Sequence, residues 1–459
     1  MFETIKNCFK VKEIRKKIWW TLLLLLIFRL GCYIPVPGID VVTFSEEIGK
    51  NDFLTILSSI TGGSLANATL FALGISPYIN ASIIIQLLTV GIPALERLSK
   101  QGEEGRKKIA QITRYVTIAL AIAQAIGIVV NFGVQSGAFK LNLFGGGAIG
   151  AVSDKGATWM AGIFLTVVYT AGAMLVMWIG ERITEYGVSN GISLIIFIGI
   201  LSTAGLTILH KFLGTFGIGQ YGEYGTANLW ELLGFVILTV LEFVAIVAVD
   251  LSERRIPVQY AKQVKGRRMY GGQSSVIPIR ISGSGVMPLI FAFALISFPQ
   301  MIISLFWPTS TANTNITNWF SGSSPYWYGQ LIYMVVLCVL IFAFSFFYQS
   351  MQFNPEDVSK TIQQNGGFIQ GIRPGRPTAD YLKKISNRIT LFGAIYLSLV
   401  AFIPSILSMV VTSLNLGTDT QLLSVFSTTG ILIVVSVALE LDKQLESQLM
   451  MKNYKGFLK

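Results

Sequence analysis

The sequence predicts an all-α polytopic membrane protein with ten transmembrane helices, and three observations carry that prediction. Of the 459 residues, 52% are hydrophobic and only 13% are charged, about half the charged share of a soluble domain. Apolar windows of about 20 residues, the length that crosses a bilayer core, recur ten times along the chain. Lys and Arg, finally, collect on one side of the membrane that those windows imply.

The windows fall near 18–36, 76–91, 109–131, 158–180, 190–208, 230–250, 285–305, 329–350, 388–412 and 422–441. The first follows a basic stretch but runs into Pro35-Val-Pro-Gly38 with no small-residue cleavage site, so it reads as a retained span. Six Lys and Arg precede it, from Lys6 to Lys17, and five lie in the 92–108 connection. The 251–284 connection carries seven, and the 351–387 connection carries five, with Arg388 at its edge. Of the 35 Lys and Arg, 29 lie on this side and four on the other, which places both termini in the cytoplasm.

The second window is the informative one. Residues 61–91 are apolar, yet Gly62, Gly63, Gly74 and Pro77 interrupt them. Glycine and proline free backbone groups, and in hydrocarbon each unpaired group costs several kcal/mol. Such backbone must be buried in protein or line a watery cavity. The stretch therefore reads as a loosely held re-entrant segment followed by a half-helix bearing Ile79, Ile83 and Gln86. The seventh span starts Ile281-Ser-Gly-Ser-Gly-Val-Met-Pro and is broken in the same way. Interrupted spans at corresponding places in two five-span halves point to a transport pathway.

The connections differ in kind. Those near 132–157 and 306–328 are rich in Gly, Ser, Thr and Asn and read as exposed external loops. Gly145-Gly-Gly147 lacks a following Lys-Ser or Lys-Thr and is no phosphate cradle. The 251–284 and 351–387 connections are too long to serve only as orientation charges. The first has β-branched residues around a central Gly, as a protruding hairpin would, and the second contains Gly371-Ile-Arg-Pro-Gly375. Both suit docking of a large cytosolic partner with phosphates or an acidic face.

Chemistry finds little to work with. Cys8, Cys32 and Cys338 are scattered, and His210 is the single histidine, placed in an external connection, so no metal site or histidine relay is expected. No nucleophile–base pair and no nucleotide-binding sequence is present, and no cofactor is implied. Arg29, Arg114 and Glu242 are the ionisable residues inside spans, with Arg114 expected to snorkel to the cytoplasmic face. So sparse a set argues against a proton- or sodium-coupled carrier. Asn190 reads as a helix N-cap and Gln86 as an inter-helix hydrogen-bonding amide.

At this point the chain resembles the SecY family, the channel subunits of the bacterial Sec protein translocase. The resemblance rests on Leu73-Gly-Ile-Ser-Pro-Tyr-Ile-Asn-Ala-Ser-Ile-Ile-Ile-Gln-Leu-Leu88, Gln101-Gly-Glu-Glu-Gly-Arg106 and Glu185-Tyr-Gly-Val-Ser-Asn-Gly-Ile-Ser193. Further along it rests on Tyr260-Ala-Lys262, Gly266-Arg-Arg268, Gly371-Ile-Arg-Pro-Gly375 and Gln444-Leu-Glu-Ser-Gln448. Ser282-Gly-Ser-Gly285 departs from the Asn-Ala pattern that many relatives carry before Gly-Val.

The resemblance implies two inverted five-helix halves, 1–209 and 210–459, around a central hourglass pore that opens sideways to lipid. A plug near 55–72, including Ile60, Thr61, Gly62, Gly63, Ser64 and Leu65, would close the external funnel. Ile79, Ile83, Ile192, Ile196, Ile290 and Ile433 would form the pore constriction, with Gln86 and Asn190 as polar residues of the lateral gate. Arg255, Lys262, Arg267, Arg268 and Arg373 would meet the SecA motor ATPase or the ribosome. SecE would clamp the halves, SecG would sit at the periphery, and a preprotein with a signal sequence would be the cargo. The implied function is translocation of unfolded preproteins across the bacterial cytoplasmic membrane, with release of hydrophobic segments into membrane lipid. A secondary transporter of a small solute is the alternative.

Overall fold

The computed structural model describes residues 2–37, 39, 41, 44, 45, 58, 61–130, 155–215, 229–260, 263–265, 268–270, 274–281, 285, 287–306, 310, 311, 315, 319, 326–413 and 428–456. Most of both external connections lies outside these residues, as does Gly145-Gly-Gly147.

A helix stands in each of the ten windows. In order they are α2 (Lys12–Gly31), α3 (Ser76–Gly91), α5 (Glu103–Ile128), α6 (Lys155–Tyr186) and α7 (Gly191–Thr215). The later five are α8 (Leu229–Leu251), α9 (Met287–Phe306), α10 (Trp327–Gln352), α12 (Arg376–Ser413) and α13 (Thr428–Gly456). Short helices α1 (Phe2–Lys10), α4 (Pro93–Lys100) and α11 (Pro355–Gln364) stand between or before them. Among the described residues, four helices are apolar and long enough to cross a bilayer unaided, and α3 with α4 makes a fifth, bent by 104°. The bend falls at Gly91-Ile-Pro93, where Pro93 cannot continue the ladder.

Several boundaries depart from the sequence expectation. The first helix stops at Gly31, and Ile34 to Val36 run on as extended chain. Helix α7 continues to Thr215, so His210 belongs to a helix and not to an external connection. Helix α12 starts twelve residues before its window, so the end of the 351–387 connection is helical.

Packing divides the chain into two units. The first comprises Met1–Asn228, Ala294–Gln330 and Val437–Lys459. In it α3 packs on α5, α5 on α6, and α6 on both α7 and α2. Its main core joins Ala121, Ala125 and Ile128 of α5 with Leu165, Tyr169 and Ala173 of α6, around Leu65, Ala68, Ala72 and Leu73. A second core joins Cys8 and Ile14 to Val188 and Leu445. Helix α2 turns Leu22, Leu23, Leu26, Ile27 and Leu30 outward, the apolar face that lipid requires.

The second unit comprises Leu229–Phe293 and Leu331–Ser436. Its two long basic connections add a small sheet to the helical class. Strands β1 (Glu253–Tyr260), β2 (Gln263–Lys265), β3 (Arg268–Tyr270) and β4 (Ser274–Arg280) form the expected hairpin, and β5 (Gly367–Phe368) joins from the other connection. The order is β4-β1-β5, antiparallel, with β2-β3 as a separate ribbon. Pro257 sits in the central strand, but β5 reaches only Gln259 and Tyr260, so the missing N–H leaves no ladder bond unmade on that side.

A buried turn segment and a basic sheet-bearing head

The segment from Thr61 to Ile75 is neither helix nor strand; it is a ladder of turns. Gly62, Gly63 and Gly74 take positive φ of 72°, 82° and 53°, which only glycine adopts cheaply. Thr61, Gly62, Ser64 and Leu65 are buried and Gly63 is half-buried, while Ile60 lies outside the described residues.

The segment is not loosely held, contrary to the sequence expectation, because hydroxyls bond backbone groups of the turns around the glycines. Thr61 Oγ1 donates to the Ser58 carbonyl at 3.1 Å, and Ser64 Oγ to the Thr61 carbonyl at 2.9 Å. Thr69 Oγ1 donates to the Ser64 carbonyl at 3.1 Å, and Ser58 Oγ accepts from Ala66 N at 3.2 Å. The legible signal was the density of Ser and Thr among the glycines, since short hydroxyl side chains reach neighbouring backbone.

Helix α2 holds the same segment from outside. Val36 N donates to the Ala68 carbonyl at 3.1 Å and Leu70 N to the Ile34 carbonyl at 2.9 Å. Phe28 stacks on Phe71 with ring centroids 6.0 Å apart. A Cβ at Gly31 would overlap the Phe71 ring, and one at Gly172 of α6 would overlap the Leu70 carbonyl. Arg29, one of the ionisable residues inside the spans, donates from Nη1 to the Gly62 carbonyl at 3.0 Å.

The six isoleucines divide between the units. In the first, Ile83 on α3 and Ile196 on α7 are buried, and Ile79 and Ile192 are half-buried. Ile192, Ile196 and Gly199 stand at i, i+4 and i+7, one face of α7. A Cβ on Gly62 would lie 3.2 Å from Gly199 Cα, so that face leads to the turn segment. In the second, Ile290 on α9 is half-buried and Ile433 on α13 is buried.

Of the polar candidates, Asn190 caps α7, its Oδ1 accepting from Ile192 N at 3.1 Å. Gln86 Nε2 donates to Ser82 Oγ one turn back on its own helix, at 3.1 Å. Arg114 does not simply snorkel; its Nε pairs with Glu181 Oε1 of α6 at 2.8 Å.

The basic head formed by the two long connections is built on alternation. Ile256 and Val258 of β1 point inward while Arg254, Arg255, Pro257 and Gln259 are exposed. They pack with Ile279, Ile362, Ile369 and Leu382, a core that draws on both long connections. Burying each such side chain contributes about 1.5–3 kcal/mol, enough to give the two connections a shared fold. Helix α11 starts cleanly, with Asn354 Oδ1 accepting from Glu356 N and Pro355 in the first turn.

The Gly371–Gly375 tip is fixed at its backbone and exposed at its side chain. Thr378 Oγ1 donates to the Arg373 carbonyl at 2.8 Å, and Ser359 Oγ to the Gly375 carbonyl at 2.6 Å. Gly371 and Gly375 have φ of 83° and 100°. Arg373 lines an open groove of about 550 Å³ with Gln363, Phe368 and Ile372. Arg255 is also exposed and its Nε pairs with Glu253 at 2.7 Å. Arg268 stands in β3, while Lys262 and Arg267 lie outside the described residues. Over 251–284 and 351–388 the sequence has 13 Lys and Arg against four Asp and Glu. Sequence reasoning missed the β1–β5 pairing, because nothing local in Gly367-Phe368 indicates a partner a hundred residues away.

Comparison with known proteins gives the same answer throughout. The SecY family model matches residues 69–441. The SecY protein translocase subunit of Streptomyces coelicolor is 40% identical over 464 residues and the full length of both chains. That of Thermus thermophilus is 39% identical, covering 100% of this chain and 98% of its own. A solved protein-conducting channel superposes with a TM-score of 0.65 at 19% identity, covering 94% of this chain and 92% of its own. Sec61 from a canine ribosome–channel complex superposes with a TM-score of 0.62 over the same shares. Matched from end to end by translocase subunits that share two residues in five with it, this multi-pass membrane chain belongs to the SecY family.

Proposed function

We propose that the chain is the protein-conducting channel of a bacterial Sec translocase, passing unfolded preproteins across the cytoplasmic membrane and releasing apolar segments into lipid. Beyond family membership, the observation that carries this is the buried, helix-free segment 61–75, seated at the end of the Ile192–Ile196 face. A lipid-facing span would be a helix here, with every backbone bond inside the segment. A turn segment held by its own hydroxyls and by Arg29, Ile34 and Val36 needs a seat walled by protein, as a stopper would.

In this reading 55–72 is the plug, and Ile79, Ile83, Ile192, Ile196, Ile290 and Ile433 form an aliphatic collar between the 1–209 and 210–459 halves. A collar without polar groups suits cargo of arbitrary sequence, and it resists ions because it is unfavourable to hydrate. Gln86 and Asn190 belong to the lateral gate. The chain performs no catalysis; a partner supplies the energy.

Arg255, Lys262, Arg267, Arg268 and Arg373 form a docking surface for SecA or the ribosome, with the cytoplasmic head and both termini on that side. The basic excess and the shared core beneath it support this. SecE and SecG complete the complex. A related SecY carries a plug domain that stabilises the closed channel and maintains a membrane seal, and the same role is proposed here.

Reconstitution tests the proposal. Vesicles holding the complex should import a signal-bearing preprotein when given the motor and ATP. Uptake of a small solute along an ion gradient, without preprotein import, would favour the carrier.

A further inference from the structure

We propose that Arg29 is the latch of the plug: its guanidinium grips the Gly62 carbonyl and thereby sets how readily the channel opens at rest. The inference rests on the plug reading above and adds to it the residue that regulates release.

Arg29 is one of the few charged residues inside a predicted span, and a charge at that depth is costly without a partner. Its partners are specific. Nη1 donates to the Gly62 carbonyl at 3.0 Å, and Nη2 donates to the Tyr33 hydroxyl at 2.9 Å. The guanidinium carbon also lies 4.6 Å from the Tyr33 ring centroid, within cation–π range. Tyr33, one turn on, thus aims the guanidinium at the glycine corner.

Gly62 is enclosed on both sides. A Cβ there would stand 2.8 Å from Arg29 Nη1 and 3.2 Å from Gly199 Cα. The corner is therefore gripped between the first span and the α7 face that carries Ile192 and Ile196.

The far end of the segment is held differently. Two backbone bonds tie Ile34 and Val36 to Leu70 and Ala68, and Phe28 stacks on Phe71. Those contacts are several, whereas the guanidinium gives Gly62 one charge-assisted bond to one carbonyl. The segment is hinged at its exit and latched at its corner. Removing the guanidinium takes the charged grip from the corner, where the Cys32 thiol still reaches Ser64, without dismantling the hinge.

A charge-assisted hydrogen bond contributes enough that its loss should raise the open fraction roughly tenfold. The full translocase in planar bilayers reads this as resting conductance, with import of a signal-defective preprotein as a second readout. Arg29→Met should raise both, and Arg29→Lys, which keeps the charge without the fork, should recover part of the seal. In a background lacking residues 57–65, Arg29→Met should add nothing, because the latch has lost its catch.

Wild-type conductance in Arg29→Met, or an equal increment in the plug-deleted background, would overturn the latch while leaving the plug intact. Unchanged conductance on deletion of 57–65 would remove the plug itself, and the latch with it. Tyr33→Phe covers the case in which Arg29→Met fails to insert. Tyr33 is 58% exposed, so this variant should fold and show a smaller rise of the same sign; an unchanged seal in it would also count against the latch.

Discussion

Tyr260 pairs with Gly367, more than a hundred residues further on, across an antiparallel ladder, so the two long basic connections share one sheet. A Cβ on Gly367 would stand 2.8 Å from the Tyr260 ring and 3.0 Å from Ile362. Gly367→Val should therefore part β5 from β1 at a cost of about 1–3 kcal/mol. Partner-dependent translocation should fall while the resting conductance of the channel stays at its wild-type value. A rise in conductance instead would mean that the damage extends beyond the head.

Arg373 stands on a backbone held by Thr378 and presents its side chain to solvent. Arg373→Glu changes the local charge by two without disturbing that backbone. It should impair motor- or ribosome-dependent translocation severalfold at physiological salt while the protein inserts normally. Normal export by this variant would exclude Arg373 from the docking surface.

Leu382 is fully buried in the core that both connections share. Leu382→Ala should destabilise the head by about 2–5 kcal/mol, through lost burial and the cavity left behind. Limited proteolysis should show faster cleavage within 251–284 and 351–375, with the membrane helices protected. Unaltered cleavage would mean that the two connections do not depend on this core.

At Gly62 the obstacle is both conformation and space. Its φ is 72°, and an added methyl meets Arg29 and Gly199. Gly62→Ala should shift the plug and raise resting conductance, and Gly63→Ala should do so less. A Cβ at Gly63 meets only the Asn67 side chain, at 3.6 Å. Equal effects of the two would show that backbone strain alone, and not the contact with Arg29 and Gly199, decides.

Cys8 of α1 is buried beside Ile14, Val188 and Leu445. Burial, and secondarily the nearby Asp442 carboxylate, pushes its thiol above the ordinary range. The thiolate is the reactive form, so alkylation at pH 8 should be slow in the folded protein and complete after denaturation. Rapid labelling of the native protein would mean that α1 does not hold this packing.

How much of this the chain disclosed in advance depends on the range of the interaction concerned. Ten helices were legible because hydrocarbon imposes a length and a composition on each span separately. The Asn190 cap was legible because a cap acts within two residues. The character of 61–75 was only half legible: its glycines announced broken backbone, but the hydroxyl bonds that make it firm depend on how the turns fold over one another. Arg29 could be singled out as an intramembrane charge, yet its catch at Gly62 lies 33 residues away.

By itself, then, the sequence determined the helical class and, through its motifs, the family. Tertiary structure alone decided that Gly62 sits between Arg29 and Gly199, and that Gly367 completes a sheet begun at Glu253. The physical reason is that span length, charge bias and capping are local free energies, summed residue by residue. Packing of a turn into a seat, or of one connection onto another, depends on distances that no local pattern encodes.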